Sequence, residues 1–366
     1  MTEIGDVILG SGSVDYEDIV RALFRGALGR EISPNDLSNF TKGLKNGFPL
    51  STMIADLVGS DEFAARQHSP LVVTLPSLYD LYPDRYYRGA NNNLIYRGTS
   101  RIDIDFLEDC IKKYRYYDSF GIWTPEIDRD KRITASIIDA LGVKSCLEIG
   151  CYSGSVLSLL DKAGVDVRGV EISHRAFLFA EQTIYDKIQY GDLLDLSSDK
   201  KYDAFLAMDV LEHLNPSKFD LYIARIASLL SENGIAYINS PMVGHDRVFQ
   251  QVFGVYVDEW AEVGDTNNWH HIHCDEKGWP VHGHLVWASP AWWENAFRKH
   301  GLVRDTEAEL VVQTILADFF LRSAPARKSF FILRHSAAGS IDASELRKRL
   351  SERVSKVLQD EGAEHF

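Results

Sequence analysis

Ser145-Cys146-Leu147-Glu148-Ile149-Gly150-Cys151-Tyr152-Ser153-Gly154-Ser155 reads as a buried strand, a glycine turn and a helix start. An acidic residue closes the strand, and two glycines flank a tight loop. An α/β sheet presents backbone N–H groups to a ligand at its carboxyl edge in this way. The loop is not the dinucleotide fingerprint, which needs a third glycine spaced G-x-G-x-x-G. It is not a P-loop either, because no Gly-Lys-Ser/Thr follows it. A glycine turn alone decides little, so the downstream residues carry the reading.

Val165-Asp166-Val167-Arg168-Gly169-Val170-Glu171 is a short strand of alternating apolar positions that ends in a carboxylate. An acid one βαβ step after the glycine loop can accept hydrogen bonds from both hydroxyls of a ribose. Ile188-Gln189-Tyr190-Gly191-Asp192-Leu193 is another strand edge, ending in Gly-Asp. Tyr202 to Asp209 is a hydrophobic strand followed by Val210-Leu211-Glu212-His213-Leu214, then a helix from Phe219 to Leu230. Gly234-Ile235-Ala236-Tyr237-Ile238-Asn239-Ser240-Pro241 is a further strand with a polar turn. A single strand-end carboxylate is commonly a helix cap. Three at successive strand ends, beginning beside a glycine loop, point to a ligand at a topological switch point.

This ordered set resembles the class I S-adenosylmethionine-dependent methyltransferase family. The matching features are Leu-Glu-Ile-Gly-Cys-x-x-Gly, Glu171, Gly191-Asp192-Leu193 and Asp209-Val-Leu-Glu-His-Leu, and the likeness covers roughly residues 130–335. It implies an α/β fold with a Rossmann-like seven-stranded sheet, helices on both faces, and S-adenosylmethionine as cofactor. By similarity, Glu148 and Gly150 hold the methionine ammonium and Glu171 the ribose. Asp192 meets the adenine amino group, with the Leu193 N–H on the ring. Asp209 and Val210 lie beside the methionine end, and Cys151, Tyr152, Gly154 and Ile172 complete the cofactor set. Tyr152 stands where many members have glycine.

The chain has 366 residues and a formal net charge of −14. That sign disfavours a nucleic-acid partner. Cys110, Cys146, Cys151 and Cys274 show no paired spacing, which reads as reduced thiols and a cytoplasmic setting. No apolar run is long enough to cross a bilayer.

Residues 1–70 read as a helical docking or assembly unit. Tyr16, Ile19, Val20, Leu23, Phe24, Ala27 and Leu28 form a stripe at helical spacing. Ser33 caps a second helix, Ser51 a third with Met53, Ile54, Leu57 and Val58 inward, and Ser60 a fourth. Leu23-Phe24-Arg25-Gly26-Ala27-Leu28-Gly29-Arg30-Glu31 resembles a small helical domain of unknown function found in bacterial surface-associated proteins and beside some glycan-modifying enzymes. Residues 71–125 are an aromatic-rich linker or cap, whose rings either stack on an acceptor or pack between units. Residues 126–336 are the methyltransferase domain, and a helix from Thr124 toward Leu141 brings Asp128 and Lys131 to the substrate side. Residues 341–366 are a helix with Leu346, Leu350, Val354, Val357 and Leu358 on one stripe. It either pairs with a second subunit or folds onto its own domain.

Residues 241–300 are the expected acceptor-binding insertion, since six of the seven tryptophans fall there together with a run of histidines. An alcohol acceptor needs a base, and His is suited to that near neutral pH. The candidates are His245, His271, His282 and His284, with His213 expected to bond the loop structurally. Asp246 and Trp279 join Asp128 and Lys131 as expected substrate contacts. A divalent cation, if used, falls to Asp209, Asp246 or Asp275. His271-x-His273 and His282-x-His284 match no closed zinc site, which wants four N or S ligands. The expected activity is O-methyl transfer to a sugar hydroxyl of a bacterial glycan or glycoconjugate precursor. The rival readings are methylation of a quinone or natural product, and a silent scaffold whose cofactor mouth is plugged by Tyr152 or by the linker.

Overall fold

Near-continuous apolar runs, buried on both faces, build the central sheet. In chain order the strands are β1 (Tyr86–Arg88), β2 (Leu94–Arg97), β3 (Ser145–Ile149), β4 (Asp166–Glu171), β5 (Ile188–Tyr190) and β6 (Tyr202–Met208). They continue with β7 (Leu230–Asn239), β8 (Gly244–Asp246), β9 (Gln251–Phe253), β10 (His271–Cys274), β11 (Leu302–Arg304) and β12 (Phe330–His335). This computed structural model describes residues 15–28, 32–58, 73–89, 92–119, 128–173, 180, 183–198, 200–254 and 271–364.

Seven strands join in the order β11-β12-β7-β6-β3-β4-β5. β7, β6, β3, β4 and β5 pair in parallel, and β12 lies antiparallel between β7 and β11. This is the Rossmann-like methyltransferase order, as expected. From β3 the chain steps outward through β4 and β5. It then returns to β6 on the other side of β3, which opens a crevice at the carboxyl ends of β3 and β6.

Because side chains alternate along a strand, neighbouring residues enter opposite cores. Cys146, Ala204, Leu206 and Tyr237 pack on one face, against Ile137, Ile138 and Leu157. Leu147, Phe205, Ala236 and Ile238 pack on the other, against Ile223, Trp293 and Phe297. The C-terminal helix Ala343–Glu364 settles on its own domain. Leu346, Leu350 and Val354 are buried in the first core, and Arg353 pairs with Asp139. All four cysteines are buried and free.

A second small sheet, β1-β2-β10, ties the aromatic segment to the insertion, with Ile95 opposite His273 and Leu94 opposite Cys274. Its core stacks Tyr116 on Trp279 at 5.1 Å. The described aromatics at Tyr79, Tyr86, Tyr96 and Tyr116 therefore pack against the insertion within one unit. Phe120, Trp123, Thr124, Pro125, Trp260, Trp269 and His270 lie outside the described residues.

The chain divides into residues 1–72 and 73–366. In the first unit, helices Tyr16–Leu28, Pro34–Lys45 and Leu50–Val58 enclose Val20, Phe24, Leu37, Leu44, Met53 and Leu57. Ser33 caps the second helix by accepting from the Asp36 N–H. The third helix differs from expectation. It starts at Leu50, so Ser51 lies inside it rather than capping it. Met53 and Leu57 are inward at i, i+4, whereas Ile54 and Val58, one position around the helix, are exposed. The fourth expected helix lies outside the described residues.

Candidate active site

The acids at the strand ends meet in one cavity of about 490 Å3. Gly150 has φ of +62°, and a Cβ there would stand 2.5 Å from Val210 Cγ2, so the turn and its close approach to the next strand end require glycine. Tyr152 follows with φ of +48°. Its N–H donates to Glu171 Oε2 at 2.8 Å, and the Ser173 N–H donates to Oε1 at 2.6 Å. These bonds orient the Glu171 carboxylate at the cavity wall. Glu148 is buried behind Gly150, and its Oε2 has no hydrogen-bond partner among the described residues. Burial, reinforced by the Glu171 charge, pushes the Glu148 carboxyl up to about 8. Farther along, Asp192 accepts from the Leu194 N–H at 3.0 Å and from the Tyr222 hydroxyl at 2.7 Å.

Across the crevice the polar groups cluster. Arg327 holds Asp130 at 2.7 Å, and it also pairs with Asp209 and donates to Asn239 Oδ1. Burial lowers the affinity of its guanidinium for a proton, but the Asp209 and Asp130 charges outweigh that and raise it. Glu212 is fully buried; its Oε2 accepts from the Ser240 hydroxyl at 2.8 Å. Burial first, then the Asp209 charge, drives the Glu212 carboxyl well above the ordinary range. His213 and His284 face each other at 4.9 Å between ring centres. Burial holds them neutral, pushing His213 down to about 4 and His284 down to about 2.

Residues 126–306 match the family model of a methyltransferase domain. With the Rossmann-like methyltransferase sheet order, that match makes residues 126–306 similar to a methyltransferase domain. The chain is 28% identical over 153 residues to the ubiquinone biosynthesis O-methyltransferase of Pelagibacter ubique, a stretch of 39% of this chain and 60% of that relative. The chain thus spans less than two thirds of the curated relative. Among solved structures it is similar to the 1,6-didemethyltoxoflavin-N1-methyltransferase of Burkholderia thailandensis, at 13% identity and TM-score 0.40, covering 68% of this chain and 96% of that one. It is also similar to a sugar N-methyltransferase from a Streptoalloteichus species, at 19% identity and TM-score 0.28, covering 34% and 57%.

Within the matched segment, Glu148, Gly150, Cys151, Tyr152, Glu171, Ile172, Asp192, Asp209 and Val210 all line the cavity. Gly154 starts the following helix at φ of +72°, and Leu193 is buried in the core beside Asp192. Lys131, His282 and His284 line the cavity as well.

Other expected contacts stand elsewhere. Asp128 is exposed and caps its helix by accepting from the Lys131 N–H at 3.0 Å. Asp246 is wholly buried, held by Arg304 at 2.8 Å and by the Val248 and Phe249 N–H groups. It therefore has no oxygen to offer a substrate or cation. Asp275 accepts from the Lys277 and Trp279 N–H groups in a turn, away from the cavity lining. Trp279 is fully buried and donates its indole N–H to the Pro76 carbonyl at 2.9 Å. A tryptophan enriched in a loop filled a core instead of a binding face. His245 is exposed on β8, opposite Val252 in a two-stranded ribbon, and does not line the cavity. His271 lies on β10, paired with Arg97, and its side chain is outside the described part.

Glu212, His213, Tyr117 and Arg327 line the cavity without having been singled out as site residues. His213 does bond the loop, through Nδ1 to the Gly283 carbonyl at 3.0 Å, and its ring still forms part of the wall. The adjacent Glu-His pair after β6 was the available signal. Arg327 had none, since 118 residues separate it from Asp209.

Proposed function

We propose that the protein transfers a methyl group from S-adenosylmethionine to a hydroxyl oxygen of a polyhydroxylated acceptor, a sugar of a glycan or glycoconjugate precursor. The observation that carries the cofactor is the Glu148 carboxyl oxygen, buried without a partner among the described residues in the wall of the cavity beside Gly150. A buried acid without a partner suits a cationic ligand group. Glu171 and Asp192 stand at successive strand ends along the same cavity, which supports assigning them to ribose and adenine. The cavity volume lies within the usual range for small-molecule sites, which favours an open mouth over the plugged scaffold.

Bound there, the cofactor would supply a methyl group activated by its positively charged sulfur, the leaving group that would retain the bonding pair. The residues of the chain have three tasks: to align the acceptor oxygen, to exclude water and to take its proton. His282, exposed on the cavity wall, is the proposed base, and Lys131 and Arg327, which line the same cavity, are the proposed polar partners of the acceptor. The burial of Trp279 removes one aromatic platform from the sugar reading, and the likeness to a ubiquinone biosynthesis O-methyltransferase favours a quinol-type acceptor as the second reading.

Incubation with methyl-labelled cofactor and separate panels of nucleotide sugars, oligosaccharides and catechols tests the reading. Label is expected in a sugar ether, and His282→Ala is expected to cut that turnover about 100-fold or more while sparing cofactor affinity. Label appearing only in catechols replaces the acceptor. Failure of the protein to bind the cofactor overturns the whole reading.

A further inference from the structure

We propose that Glu212, His213 and His284 form a binding site for one divalent first-row transition ion, with open coordination positions facing the cavity. Glu212 Oε1 lies 3.9 Å from His213 Nε2 and 3.9 Å from His284 Nε2. One ligand atom from each residue falls within 4.8 Å of the others. A separation of 3.9 Å is too long for a direct hydrogen bond. Two ligand atoms bound about 2.0–2.2 Å from one ion stand about 3–4 Å apart, so a shared ion fits between them. Glu212 Oε1 is fully buried and has no hydrogen-bond partner among the described residues. An acceptor atom left bare beside two imidazoles is costly unless a ligand completes it.

Hydrogen bonds orient Glu212 and His213, whereas His284 is placed through the backbone of its loop, its Nδ1 being without a partner among the described residues. The Ser240 hydroxyl donates to the other carboxylate oxygen, Oε2, at 2.8 Å. His213 Nδ1 donates to the Gly283 carbonyl at 3.0 Å, which leaves the Nε2 lone pair directed at the cluster. A Cβ on Gly283 would stand 3.0 Å from His213 Nδ1, and its φ is +76°, so glycine permits that approach. The Leu285 and Val286 N–H groups donate to the Glu212 carbonyl at 2.7 and 2.9 Å, clamping the His284 loop to the Glu212 turn. Two imidazoles and one carboxylate suit zinc, manganese or iron(II) better than magnesium or calcium, which prefer all-oxygen shells. The open positions would take acceptor oxygens. That role rests on the methyl-transfer reading, whereas the ion site itself does not.

The test titrates the full chain with Co2+, followed by its visible absorption, and then displaces it with Zn2+. We expect one Co2+ per chain and a Kd raised at least tenfold in both Glu212→Gln and His284→Ala. His245→Ala, on the exposed ribbon, should leave the Co2+ affinity unchanged. Calorimetry with S-adenosylmethionine on each variant reports separately on fold and cofactor site. Absence of saturable Co2+ and Zn2+ binding by the wild type, or wild-type affinity in both ligand variants, overturns the site. Metal binding without cofactor binding keeps the site and removes the methyl-transfer reading instead.

Discussion

The Tyr222 hydroxyl donates to Asp192 Oδ2 at 2.7 Å, so a helix behind the sheet sets the orientation of an acid at the cavity wall. With the Leu194 N–H on Oδ1, the carboxylate is held from two sides. Tyr222→Phe removes one of these bonds without altering packing volume. We expect a loss of about 0.5–1.5 kcal/mol in affinity for S-adenosylmethionine, or roughly twofold to tenfold in Kd by calorimetry. An unchanged Kd would detach Asp192 from the cofactor.

Gly150 tolerates no side chain. Its positive φ and the 2.5 Å approach of Val210 Cγ2 act together, so Gly150→Ala strains the turn and forces the Val210 side chain or the turn itself to shift. The expected cost is about 1–3 kcal/mol of stability, seen as a lower Tm, with cofactor binding weakened beyond what stability explains. Retention of both properties would contradict the cradle.

Glu148 links pH to stability. Its carboxyl titrates near 8 in the fold, against an ordinary value of 4.5. Between those values the unfolded chain has lost the proton and the fold still holds it. The contribution of Glu148 to stability is therefore present at low pH and is lost as pH rises from about 4.5 to about 8. His213 and His284, pushed down to about 4 and about 2, act in the opposite direction over lower pH. The diagnostic is therefore a difference: the Tm of Glu148→Gln should fall less than that of wild type between pH 5 and pH 8. A cationic ligand group beside Glu148 should also expel its proton, measurable as buffer-dependent binding heat near pH 7. Parallel melting curves would refute the buried acid.

Arg304 sits between two buried acids, Asp246 at 2.8 Å and Glu309 at 2.7 Å, with side chains at most 1% exposed. Burial pushes Glu309 up to about 7, and the Arg304 charge opposes that shift. Arg304→Met strands both acids and should cost about 3–5 kcal/mol by chemical denaturation. Asp246→Asn should also lower Tm while leaving Co2+ affinity intact, because this acid is a strut of the ribbon and not a cation ligand.

The strand-end acids and the glycine turn were readable because they lie within short spans whose spacing is set by βαβ geometry: Glu148 to Gly154, Glu171, Asp192 and Asp209. A parallel sheet gives each of these positions the same edge, so their convergence follows from order along the chain alone. The roles of histidine and tryptophan in residues 241–300 were not readable. Trp279 enters a core beside the pairing of β10 with β2, and His284 reaches the cavity through the bonds of Leu285 and Val286 to the Glu212 carbonyl. Both contacts join segments far apart in sequence, while His245 faces out of the β8–β9 ribbon. The Arg327 clasp on Asp209 and the union of His284 with Glu212 depend on packing in the same way. Local spacing fixes which way an edge faces, whereas burial and long-range pairing decide which polar side chains are left facing one another inside it.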